Sequence, residues 1–149
     1  MRLIKAGMWA AATLAAAAVI GTFGAGNASA ANRAFRGSTA GTIAFDSPTH
    51  AIVTTSGNAT HLGPYTRVED VTIGAGGSLT GTITFTSHDG DQIFVSFTGG
   101  FINANDATGT YTITGGTGKY EGATGTAEFT ANTPDFVNVT ASWEGTINY

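Results

Sequence analysis

The chain contains no cysteine, so neither a disulfide framework nor a lipid-modified cysteine behind an export signal is available to it. Charge is scarce too, at 11% of residues. Basic stripes interleaved with aromatics, the footprint of a nucleic-acid binder, are missing. Helical periodicity is absent beyond the first thirty residues, and no segment there is patterned for a helix of useful length.

What is present begins with Arg2 and Lys5, an uncharged apolar run from 6 to 25, and the small-x-small triplet Ala28-Ser29-Ala30. This is the order of a secretory signal peptide. The run also reaches the length of a spanning helix, but it weakens toward its end and meets a good cleavage site. The expectation is a signal peptide at 1–30 and one exported domain at 31–149, extracellular or periplasmic, with no membrane attachment once the signal is removed. About 119 residues suffice for one domain with one core. In that domain Arg33, Arg36, Arg67 and Lys119 stand against ten acidic residues, an excess of six negative charges. Such a surface repels nucleic acid and anionic membranes.

From residue 31 onward the period is two. In FVNVTASWEGTINY, Val137, Val139, Ala141, Trp143, Ile147 and Tyr149 fall on one face, and Asn138, Thr140, Ser142, Glu144, Thr146 and Asn148 on the other. Ile83 and Phe85, Tyr111 and Ile113, and Phe129 alternate with threonine or glutamate in the same way. One face is buried and the other wet. Breakers such as Asp46-Ser47-Pro48, Gly74-Ala75-Gly76-Gly77, Asp89-Gly90 and Thr133-Pro134-Asp135 divide the chain into about eight strands, at roughly 34–45, 50–56, 59–73, 78–88, 91–102, 108–114, 123–132 and 136–148. Short links make neighbours in sequence neighbours in the sheet. The expected fold is therefore all-β, a single eight-stranded antiparallel up-and-down β-barrel, with a β-sandwich as the alternative.

The stretch TGGTGKYEGATG at 114–125 has the composition of a phosphate-binding loop but not its order. Lys119 is followed by Tyr120 rather than a hydroxyl residue, and Ile113 stands where a Walker loop places its first glycine. Gly116, Gly118 and Gly122 miss the dinucleotide spacing, and a β-like TAEFTA follows instead of a helix. Glycines that permit positive φ at a bend between strands, with Tyr120 tucked against a barrel end, account for it better.

Those twelve residues resemble two families. Plant dirigent proteins carry GGTG, a basic or apolar residue, an aromatic, and then Ala-x-Gly. Allene oxide cyclases carry TGG-x-G-x-aromatic-Glu-Gly and a further glycine. Thr114 to Gly125 satisfies most of both patterns. The resemblance implies an eight-stranded antiparallel barrel of calycin type, often a trimer, whose lumen steers a hydrophobic substrate without any cofactor. The catalytic residues of those families find no counterpart here and none is carried over.

The densest polar set lies in THLGPYTRVED, where an unbroken strand places His61, Tyr65, Arg67 and Glu69 on one face. An acid-base group, a phenol, a fixed cation and a carboxylate together suit orientation of a carbonyl or carboxylate. An outward Arg-Glu pair is the plainer alternative. Trp143 joins them as a candidate pocket residue, although inward aromatics such as Phe85, Phe97 and Phe129 usually fill cores. His88-Asp89-Gly90-Asp91 reads as a hairpin turn rather than a metal site. No cofactor and no metal is expected.

Three functions follow. The first is a secreted barrel that binds or scaffolds a small hydrophobic ligand in its lumen. The second is a cofactor-free cyclase, isomerase or stereochemistry-guiding enzyme, as the resemblance implies. The third, prompted by alternating Thr82, Thr84, Thr86 and Thr110, Thr112, Thr114, is an adhesion or ice-binding surface.

Overall fold

The computed structural model describes residues 32–149; the expected leader at 1–30 lies outside them. Eight strands follow in order: β1 (Arg33–Ser47), β2 (His50–Ala59), β3 (Gly63–Ile73), β4 (Ser78–Ser87), β5 (Gln92–Phe101), β6 (Asp106–Gly116), β7 (Thr124–Asn132) and β8 (Asn138–Asn148). Each is antiparallel to the next, and β8 returns to pair with β1 from Arg33↔Ile147 to Thr42↔Asn138. The sheet thus closes in chain order. A sandwich would leave edge strands; closure removes them.

Alternation explains which side faces in. On β4, Leu79, Ile83 and Phe85 are buried while Thr80 and Thr82 are exposed. On β8, Ala141, Trp143 and Ile147 are buried while Thr140, Ser142 and Glu144 are exposed. The strand register lines up the wet face in rows, one of which runs Asp70, Thr82, Ser96, Thr112, Thr126, Thr146 across six strands. β-Branched hydroxyl residues suit a pleated surface that meets water.

One end of the barrel is shut by aromatics. Phe35, Phe85, Tyr65 and Trp143 are all buried and meet at ring-centroid separations of 5.3 to 5.9 Å, the spacing of edge-to-face and tilted aromatic pairs. The indole of Trp143 needs Gly37 on the neighbouring strand, because a Cβ there would lie 2.7 Å from its Cζ2. Beyond this cluster, the glycine stretch forms the end of β6 and a single 3-10 turn at Gly118–Tyr120, followed by β7. Gly118 has φ +57, and a Cβ there would strike the Asp91 carboxylate at 2.0 Å. The bend delivers Tyr120 to a fully buried position, where its hydroxyl donates to the His61 carbonyl at 2.5 Å and its ring meets Tyr149. Lys119 and its glycines turn a corner, and the aromatic between them plugs the barrel.

The third strand differs from the expectation. Instead of running from 59, it begins at Gly63, because residues 60–62 form the β2–β3 turn and His61 adopts φ 66. Gly63-Pro64 introduces no register shift: the β2–β3 ladder runs unbroken from Ala59↔Gly63 to His50↔Thr72.

At the opposite end, the β1–β2 turn is held by His50. Its Nδ1 lies 2.7 Å from Asp46 Oδ1, and its Nε2 lies 2.8 Å from Asp70 Oδ1 on β3. Hydrogen bonds to Asp46 and then Asp70 raise its pKa above the ordinary imidazole value of 6.5. A folded pKa above the unfolded one gives stability that is complete below the unfolded value and is lost as pH rises through the folded value. The unfolding midpoint is therefore expected to fall from mildly acidic to mildly alkaline pH, and by less in His50→Asn. An NMR titration of the His50 ring placing its pKa at or below 6.5 contradicts this clasp.

Candidate functional site

The inward side chains fill the barrel unevenly. Toward the plugged end they interlock; toward the His50 end they leave a cavity of about 390 Å3. Its walls are apolar, among them Val53, Val71, Leu79, Phe97, Phe129 and Val139. Among the described residues, Arg67 and Glu69 are the only charged ones that line it, and Tyr111 stands beside them.

β3 places the pair. Tyr65, Arg67 and Glu69 alternate inward, and the next inward residue is Val71. Arg67 is 3% exposed, and its Nη2 donates to Glu69 Oε2 at 2.5 Å. The guanidinium carbon sits 5.4 Å from the ring centroids of Phe85 and Tyr111 and 5.7 Å from that of Trp143, within the range of cation–π attraction. Burial works against its charge, but Glu69 and Tyr111 outweigh burial and leave its pKa raised. The cation is permanent. Tyr111 is pushed up to about 12, chiefly by burial and against the pull of Arg67, so its phenol stays neutral. Among the described residues Arg67 Nε and Nη1 find no acceptor, and neither does the Thr55 hydroxyl; all three atoms are fully buried, although both residues line the cavity. A buried donor without an acceptor is costly. Nη2 carries a second N–H beyond the one given to Glu69, and a charged donor on the wall of an apolar cavity is suited to a ligand oxygen.

Of the five residues singled out from the sequence, Arg67 and Glu69 line the cavity. Tyr65 and Trp143 lie beneath it: the Tyr65 hydroxyl donates to the Ser38 carbonyl at 2.7 Å, and both rings pack in the aromatic cluster. His61 is exposed in the β2–β3 turn, its ring 5.8 Å from Tyr149 at the plugged end, and does not join the others. Phe85 fills the core, whereas Phe97 and Phe129 form cavity wall. Tyr111 and Thr55 escaped sequence reasoning. Tyr111 alternates with Thr112 like any core residue, and only the closed barrel brings β6 across from β3.

No protein-family model and no curated protein sequence matches the chain. Solved structures do, two dirigent proteins among them. The pterocarpan synthase dirigent protein GePTS1 superposes with a TM-score of 0.56 at 12% identity, over 81% of this chain and 89% of that one. PsPTS1, also a pterocarpan synthase dirigent protein, gives 0.55 at 13% identity, over 80% and 95%. The fold is that of the dirigent β-barrels. In this dirigent-type barrel the glycine stretch closes one end, and Arg67 and Glu69 face the cavity that opens toward the other.

Proposed function

We propose that this dirigent-type barrel is an exported binding protein that holds one small, mostly apolar molecule in its lumen. The observation that carries the proposal is the apolar cavity with a buried guanidinium on its wall. Its volume falls at the low end of small-molecule sites, roughly 300–1,000 Å3, so the occupant is compact. Apolar walls supply affinity, and Arg67 fixes orientation.

A neutral aromatic probe such as acetylnaphthalene is expected to raise the unfolding temperature, since a ligand bound only by the folded state stabilises it by about 2.7 kcal/mol at a hundred times Kd. Val139→Trp, which fills the cavity from β8, abolishes that rise. A rise that persists in the filled variant places binding elsewhere and overturns the proposal.

The same polar group favours a second function. Arg67 and the neutral Tyr111 can hold negative charge developing on an oxygen while the walls fix the shape of a reactive substrate. That is cofactor-free cyclisation or isomerisation, and the two superposed proteins are named as synthases. Recovery of a bound molecule that leaves the protein chemically changed would decide for it.

A further inference from the structure

The charges in and around the cavity restrict its occupant further. Within the lumen, Arg67 and Glu69 neutralise one another in direct contact, and among the described residues no other charged one lines the wall. A ligand carboxylate entering this site would lose its water and find its cation already paired. To reach Arg67 it would have to displace Glu69 or lie beside it as a like charge, and both arrangements are unfavourable. A neutral carbonyl has neither penalty. It needs only a donor, and the wall carries two: Arg67, whose Nη2 has a second N–H beyond the one given to Glu69, and the neutral phenol of Tyr111.

The approach to the lumen adds an independent selection. Asp46, Asp70, Asp106 and Asp135 stand in or within a few residues of the turns at the cavity end. His50, held between Asp46 and Asp70, offsets one of the four when it is protonated. Asp106 is bonded by the side-chain amides of Asn132 and Asn103, and Asp135 by the backbone amides of Val137 and Asn138. These bonds favour the ionised carboxylates. Arg33, Arg36 and Lys119 lie at the plugged end. An anion approaching the mouth therefore meets like charge before it reaches a floor whose cation is already paired.

We propose that the lumen selects neutral, carbonyl-bearing apolar molecules and excludes the corresponding carboxylic acids. This rests on the proposal that the lumen is the ligand site. The test is calorimetric titration of the full chain with three probes of one shape: acetylnaphthalene, isopropenylnaphthalene, which replaces the carbonyl oxygen by a methylene, and naphthoate.

The ketone is expected to bind about tenfold or more tightly than the hydrocarbon, as a bond to a buried charged donor implies, and naphthoate is expected to bind weakest. In Glu69→Gln, which keeps an acceptor for Arg67 but removes the competing charge, naphthoate should gain about tenfold while the ketone changes little. Naphthoate binding the native protein as tightly as the ketone overturns the proposal, as does a ketone no better than the hydrocarbon. The ranking in the native protein decides even if the variant fails to fold. If no probe binds, the lumen proposal itself falls, and this one with it; hydrocarbon and ketone binding equally leaves the lumen proposal standing and removes only the selectivity.

Discussion

Glu69→Leu is expected to destabilise the barrel by about 3–5 kcal/mol, the penalty for leaving one member of a buried ion pair without its partner. Arg67 has nowhere else to place its charge. It is 3% exposed, the aromatic rings around it offer only cation–π contact, and two of its nitrogens already lack acceptors. The double variant Arg67→Met, Glu69→Leu should recover most of the loss, because a buried ion pair can often be replaced by apolar groups of similar volume at little cost. The same double variant should no longer prefer a ketone over its hydrocarbon counterpart. Urea unfolding of the native protein, both single variants and the double variant forms a complete cycle. A single variant as stable as the native protein would mean that the pair is not confined by the barrel.

Trp143→Ala should cost about 3–5 kcal/mol, the range for removing a large aromatic from a packed core. The indole touches Phe35, Tyr65, Phe85 and Tyr111 at centroid distances of 5.3 to 6.1 Å and occupies the space that Gly37 leaves open. Its removal merges a new void with the floor of the barrel cavity, so neighbouring rings can collapse only by abandoning their edge-to-face contacts. The variant should therefore bind larger apolar probes while unfolding at lower denaturant. A loss under about 1 kcal/mol would show that the cluster can repack.

The strand pattern was legible because the period-two alternation leaves few interpretations once one face is buried. The eight strands and their order follow from it, and closure follows from the need to remove edges. The start of β3 did not. Thr60 to Leu62 continue the β-like composition, yet His61 turns the chain at positive φ, and Leu62 is buried from within the turn. The cavity was also hidden. Phe85 and Phe97 alternate inward in the same way, but one packs in the plug and the other forms cavity wall. Depth along the barrel depends on strand tilt and stagger, which alternation does not encode. Arg67 and Glu69 were visible as a spacing of two on one face. That they point into an apolar space rather than out to water depended on the register of β3, which Tyr65 and Val71 on either side fix.

The most direct test is an NMR titration of the full chain, isotopically labelled, with acetylnaphthalene, following the Arg67 side-chain Nε–H signal together with the methyl signals of Val53, Val71 and Val139. The expected result is a saturable shift of the Arg67 signal in step with those three valines, all of which line the cavity. Shifts confined to the outer threonine rows, with the Arg67 signal unmoved at saturation, would contradict a ligand seated in the lumen on its guanidinium.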